Sequence, residues 1–270
     1  MAGIFESMTP KAPGLSLALA TGLLATACGS GEPAPGEAPR AQLTEWVSPA
    51  GPDSQTPHLD VLGNTVIMSW WEALDKERVA LRMSRLEEEG WAPAVTVTEG
   101  ASFFVNWADY PSVTPLGGEV LVAHWLQRGT EGGYDYGVRV ARSEDGGRTW
   151  GPPSAPHGDG TPTEHGFVSL FPQEDGFGVV WLDGRKYALP GDEDGDPATA
   201  GTSPRSEMTL RYRFQDGAGN WADEVLLDGR TCDCCQTDHA PGPEGPVVVY
   251  RDRGPEEIRD IYVVRGTREG

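Results

Sequence analysis

Three thiols stand close together at Cys232, Cys234 and Cys235, in the run Cys232-Asp233-Cys234-Cys235-Gln236. Thiolates so spaced could share a soft cation, Cu(I) or Zn, with His239 or a later residue completing the set. C-x-C-C is not a standard zinc spacing, so disulfide and redox uses stay open beside the metal reading. Ionisable and bulky side chains also gather at the borders of apolar runs: Asn106, Trp107 and Asp109, then Glu164 and His165, then Arg185, then Arg251 and Arg253. Acids, bases and an imidazole brought to one place are what a catalytic or binding site needs. Whether they meet depends on the elements that carry them.

Those elements read as strands. The chain has 36 Gly and 23 Pro in 270 residues, roughly 22% against an average of about 12%. So many turn residues disfavour a helix bundle and favour short strands joined by tight turns. One pattern recurs four times: apolar strand, Gly-containing turn, second strand ending in an aromatic, loop, third strand, polar turn, Trp. The second-strand aromatics Trp70, Trp125, Trp181 and Tyr250 lie 55, 56 and 69 residues apart. The turn tryptophans Trp91, Trp150 and Trp221 lie 59 and 71 apart. The longer third interval holds an acidic, Gly-rich stretch at 190–204, which reads as a loop insertion. A period near 55 with about four short strands per copy predicts an all-β fold built as a β-propeller.

The second copy contains Ser143-Glu144-Asp145-Gly146-Gly147-Arg148-Thr149-Trp150. This matches the Asp-box S-x-D-x-G-x-T-W at Ser143, Asp145, Gly147, Thr149 and Trp150. Its physics is local: the Asp bonds turn amides, the Gly takes positive φ, and the Trp packs between blades. The box is read as structural. On these residues the chain resembles the sialidase (neuraminidase) superfamily of BNR-repeat propellers. The stretches FVNWAD at 104–109, DGTPTEHGFVSL at 159–170, VWLDGR at 180–185, CDCCQT at 232–237 and VVYRDR at 248–253 are similar to its bacterial sialidase-like group. The resemblance covers roughly residues 45–270 and implies six blades. About four are present, so a partial propeller over 41–270 is expected, with the chain ending inside a blade.

The resemblance also implies where a site would lie. In such a blade the residues before strand one and after strand two share one face, and the Asp-box turn lies opposite. A sialidase clamps the substrate carboxylate with arginines, uses a Tyr nucleophile activated by a Glu, and has an Asp acid/base. Arg185, Arg251 and Arg253 are the candidate clamp, Asp109 the candidate acid/base, Glu164 or His165 the candidate polariser, and Asn106 and Trp107 further substrate contacts. The Arg-Ile-Pro of the family's first blade is missing, with Thr56-Pro57-His58 near its place. The late blade that carries the family's Tyr is missing too. Ion pairing of the arginines with Asp183, Asp252, Glu256 and Glu257 is the competing reading.

The N-terminus reads as an address. Residues 14–27 are apolar but shorter than the roughly 20 needed to span a bilayer. Leu24-Ala25-Thr26-Ala27-Cys28 resembles a bacterial lipoprotein cleavage box, with Met8 as the biological start and Lys11 as the positive flank. The expected organisation is a signal peptide over 1–28 ending in lipidated Cys28, a flexible Gly/Pro/Glu linker over 29–40, and the propeller. That places the protein at the bacterial cell envelope, tied to the membrane through its lipid alone. The formal charge of −20 excludes nucleic acid as a partner, because phosphate neutralisation needs basic groups. Three functions stay open: a sialidase-like hydrolase of acidic glycans, a non-catalytic propeller binding a glycan or protein, and a metal-binding envelope lipoprotein.

Overall fold

Gly63 takes φ +58° at the tip of a two-residue turn, and the chain on either side pairs as a hairpin with Leu62 opposite Thr65. The same construction repeats along the chain. In this computed structural model residues 43–188 and 207–266 are described. The first sheet holds β1 (Ser54–Leu62), β2 (Thr65–Ala73), β3 (Val79–Glu87), the short β4 (Gly90–Trp91) and β5 (Val95–Gly100). The second holds β6 (Ser112–Gly117), β7 (Val120–Arg128) and β8 (Tyr136–Ser143), with Ser154 pairing Val140 beyond its edge. The third holds β9 (His165–Gln173), β10 (Gly176–Asp183), β11 (Met208–Gln215) and β12 (Val225–Thr231), with a 3-10 turn at Arg185–Ala188. The fourth holds β13 (Asp238–Pro241), β14 (Pro246–Arg251) and β15 (Ile261–Arg265). All pairings within these sheets are antiparallel.

Each sequence copy is therefore one sheet, and the sheets pack face to face. Period-two alternation explains how. On β7, Leu121, Ala123 and Trp125 join Ile67, Trp71, Leu81 and Met83 of the first sheet. Val122 and Leu126 of the same strand join Val168, Leu170, Phe177, Val179 and Trp181 of the third. On β10, Val180 and Leu182 turn the other way and join Met208, Leu210, Val248 and Tyr250. A strand covered on both faces needs apolar residues at every position, which is why β7 and β10 read as continuous apolar runs. Burying one Trp side chain of 150–250 Å² is worth at most about 4–6 kcal/mol.

The recurring aromatic has a recurring partner. Trp70 and Trp181 stand at the same offset in β2 and β10, and each indole N–H donates to a carboxylate two residues on, Glu72 at 3.3 Å and Asp183 at 2.9 Å. At Trp125 the matching residue is Gln127, whose amide turns to Ser102 instead. The Trp125 indole N–H is left buried without a partner.

The first strands β1, β6, β9 and β13 contact one another in succession. Their side chains meet in a narrow space lined by His58, Asp60, Tyr110, Thr114, Ser169 and Thr237. Thr114 donates to Asp60 at 2.5 Å, and Ser169 and Thr237 share a hydrogen bond of 2.8 Å. Sheets radiating from such an inner row make a β-propeller.

The Asp-box closes the turn after β8. Asp145 accepts from the Thr149 amide at 2.9 Å and the Thr149 hydroxyl at 2.7 Å, while the Ser143 hydroxyl donates to Asp145 and accepts from the Gly147 amide. Gly146 and Gly147 take φ +73° and +89°. Trp150 packs on the cluster between the first two sheets, its indole N–H on the Gly147 carbonyl at 3.1 Å. The insertion at 190–204 and the lipidation residue Cys28 lie outside the described residues.

Candidate functional site

Register puts several chemically active residues at one end of the second and third sheets. Arg128 ends β7 opposite Tyr136, which begins β8. Asp183 ends β10 opposite His165, which begins β9. A parallel bridge between Tyr136 and Glu164 joins the two sheets there.

Asp109 and Glu164 come together at this junction. Asp109 is 2% exposed; its Oδ1 accepts from the Phe167 amide at 2.8 Å, and its Oδ2 has no partner. Phe167 is held at φ +53°, in the left-handed region that a β-branched or bulky residue rarely adopts. Burial raises the Asp109 carboxyl to about 7, with the nearby Glu164 charge adding to the shift. Burial also raises Glu164 to about 7, and Asp233 adds to it. The Tyr136 hydroxyl donates to Glu164 Oε2 at 3.3 Å. Asp109 Oδ2 and the Tyr136 ring edge crowd the same space beside Gly166, where a Cβ would come within 2.0 Å of that oxygen and 3.0 Å of the ring. Only glycine fits there. Two carboxyls that titrate near neutrality, one bonded to a phenol, form an acid-base set.

Tyr136 connects this pair to an open groove of about 310 Å³. Arg128, Asp135, Arg139, His157, Thr161 and His165 are among its walls. The Arg128 guanidinium lies 4.9 Å from the centre of the Phe104 ring, which stacks on Tyr136 at 3.9 Å. Arg128 and Arg139 donate to the backbone carbonyls of Phe103 and Val138. Among the described residues neither has a carboxylate partner, so both keep charge to offer an anion.

His165 belongs to a buried ion network. Its Nδ1 faces the Thr163 carbonyl at 2.9 Å, and its Nε2 faces Asp159 at 3.1 Å and Asp183 at 3.6 Å. Both ring nitrogens therefore point at acceptors, the arrangement of an imidazolium. Burial alone would lower its pKa, but Asp159 and Asp183 outweigh that and raise it. His157 stacks on it at 4.0 Å and accepts the Val138 amide on Nε2. Burial, with His165 beside it, lowers His157 to about 3. His157, Asp159 and His165 lie close enough to hold a metal, yet their donor atoms already bond one another and the backbone.

The predicted arginines each have their own partners. Arg185 grips Asp183 at 2.6 Å through two nitrogens and also pairs with Glu224 at 3.0 Å and Asp159 at 3.4 Å. Arg253 is buried and pairs with Glu257 at 2.8 Å. Arg251 donates toward Cys235 at 3.6 Å and Cys232 at 3.9 Å. Of the ion pairs foreseen as the competing reading, those with Asp183 and Glu257 are present. Asn106 accepts the Ala108 amide at 2.8 Å, and Trp107 is 86% exposed beside it.

The three cysteines are free and clustered, with Sγ separations of 3.3, 3.8 and 4.0 Å. His239 is not among them. On β13 it pairs with Val248 of β14, and its ring lies 5.6 Å from Phe171, towards the inner row of strands. The sequence reading joined it to the thiols on chain distance alone, and the strand carries it away.

Sequence reasoning missed Tyr136, Arg128 as a groove residue, and Arg139. The parity argument contained the signal. If strand two ends on a face, strand three begins there, and Tyr136 is the first residue of β8.

No protein-family model matches the chain, and no curated protein matches it. Solved structures do. An alpha-L-arabinanase of Penicillium chrysogenum, solved with arabinobiose, superposes with a TM-score of 0.51 at 11% identity, over 80% of this chain and 63% of that one. The likeness is one of fold. A thermostable family-43 glycoside hydrolase (TM-score 0.47, 10% identity, 82% of this chain and 72% of that one) and a neuraminidase-like protein from A/bat/Guatemala/164/2009 (0.46, 8%, 80% and 52%) also align. The chain spans less than two thirds of the arabinanase's length.

Proposed function

We propose that the protein is a glycoside hydrolase of the sialidase-like kind, acting on an acidic glycan at the groove beside Tyr136. The observation that carries the reading is the set Asp109, Tyr136 and Glu164, which ends on a groove where, among the described residues, two arginines have no carboxylate partner. Glu164 takes the phenol proton as Tyr136 Oη bonds the anomeric carbon, and Asp109 gives its proton to the departing glycosidic oxygen. Water then replaces Tyr136, losing its proton to Asp109 while Glu164 returns one to the phenolate. Arg128 and Arg139 meet the substrate carboxylate in place of the engaged Arg185, Arg251 and Arg253. The envelope address belongs to the same proposal, with lipidated Cys28 as tether; a Cys28→Ala variant is expected in the soluble fraction.

The test is release of the aryl group from aryl sialosides, aryl uronides and aryl α-L-arabinosides by the full chain. Cleavage confined to the acidic glycosides, with KM raised about tenfold or more by Arg139→Gln, is the expected result. Equal or better cleavage of the arabinosides overturns the acidic substrate. A folded chain that cleaves none of them favours the non-catalytic propeller.

A further inference from the structure

We propose that Cys232, Cys234 and Cys235 form a binding site for one soft, closed-shell cation, Cu(I) or Zn(II), and that His239 takes no part in it. The sulfur triangle has edges of 3.3, 3.8 and 4.0 Å. A cation about 2.3 Å from each sulfur requires edges of about 3.8 Å at tetrahedral angles and about 4.0 Å in a trigonal plane. A disulfide would require about 2.05 Å. Two edges of the triangle already have the size of a three-thiolate cage, and the Cys232–Cys234 edge, at 3.3 Å, must lengthen by about 0.5 Å to match it.

The fold builds that triangle. The Cys232 amide bonds the Arg251 carbonyl at 2.9 Å, which fixes the start of the loop to the end of β14. At its other end Gln236 donates to the Val168 carbonyl at 3.0 Å and Thr237 to the Phe167 carbonyl at 2.8 Å. Burial is graded across the three sulfurs: Cys232 is buried, Cys235 half-buried and Cys234 exposed. A cation can enter at the exposed corner without opening the core. Thiolates at a univalent or divalent centre leave net negative charge. Arg251, at 3.6 and 3.9 Å from two sulfurs, and Arg259, at 3.9 Å from Cys232, lie where that charge needs an offset. Among the described residues no other Cys, His or carboxylate joins the group. Coordination is therefore trigonal, or tetrahedral with one position open to an external donor.

The experiment uses the full chain, reduced, stripped of metal and handled without oxygen, then titrated separately with Zn(II) and Cu(I). Uptake of one equivalent, with all three thiols shielded from alkylation, is the expected result, and competition between the cations says which is preferred. Cys234→Ser is at an exposed position, and its folding is checked by circular dichroism. It should weaken binding at least about 100-fold, whereas His239→Ala should leave it unchanged. The proposal is overturned if the reduced chain takes up neither cation stoichiometrically, or if uptake survives Cys234→Ser. Loss of uptake in His239→Ala would overturn the ligand set. None of these readouts depends on glycosidase turnover.

Discussion

Burial holds the Asp109 carboxyl near 7 because it has one hydrogen-bond donor, an orphaned second oxygen and a carboxylate neighbour. Its unfolded value is about 3.9. A folded pKa above the unfolded one gives a contribution fully present below about pH 4 and lost as the pH rises to about 7. The loss is at most about 4 kcal/mol. Asp109→Asn keeps an acceptor for the Phe167 amide but cannot ionise. It should be more stable than the wild type by about 1–3 kcal/mol at pH 8 and nearly equal at pH 4. Urea unfolding at the two values checks this; an unchanged slope against pH contradicts it. The histidine pair gives a second expectation. Ring resonances should show His165 titrating above an ordinary imidazole, held by Asp159 and Asp183, while His157 stays neutral down to pH 5. A His165 that titrates below 6.5 would remove the imidazolium from this network. These residues show the limit of reading a sequence. Asp109, Glu164 and His165 were legible as candidates from their place before or at the start of strand one. Their roles were not, because burial and partners decide which carboxyl is neutral and which imidazole is charged.

The hairpins were readable because their turns are chemical. Gly63 and Gly118 sit in turns that need positive φ, and the alternation on either side fixes the register. The Asp-box was readable for the same reason, and it supplies a graded prediction. Alanine at Gly118, φ +58° with nothing within 4 Å, pays for backbone strain alone, about 1–2 kcal/mol. Alanine at Gly147, φ +89°, pays that and brings its Cβ within 2.7 Å of Met83 Sδ, so it should cost about 1–3 kcal/mol more. Asp145→Ala, which removes the acceptor that the Thr149 amide and hydroxyl share at the surface, should lower stability as well, by less than alanine at Gly147. Chemical denaturation of the three variants gives the order, and equal losses at Gly118 and Gly147 would contradict the packing argument. Placing His239 with the thiols failed at this scale. Nearness in the chain says nothing once a strand begins, because β13 carries successive side chains to opposite faces and away from the loop. Tyr136 went unread because the parity rule was applied to two strands of each blade and not to the third.

At the scale of the molecule, four sequence copies became four sheets, and the three apolar clusters lie between successive pairs. That much was legible because a repeat is a statement about fold. The site was less so, since its groove forms between two sheets and no single copy contains it. Asp109 comes before β6, Tyr136 begins β8, and Glu164 comes before β9. The propeller brings them together across 55 residues of chain, from Asp109 to Glu164. Propellers host many activities and none, so the likeness to an arabinanase fold leaves the chemistry to the residues themselves. The most direct test is therefore the pH profile of kcat/KM for an aryl sialoside, or for the acidic glycoside it best cleaves, in the wild type, Asp109→Asn, Glu164→Gln and Tyr136→Phe. A bell with both limbs near neutrality, belonging to the coupled pair, is expected. Each variant should lose about 10²–10⁴, with the Asp109 or Glu164 change removing one limb. Turnover that persists with an unchanged bell in all three variants would contradict it.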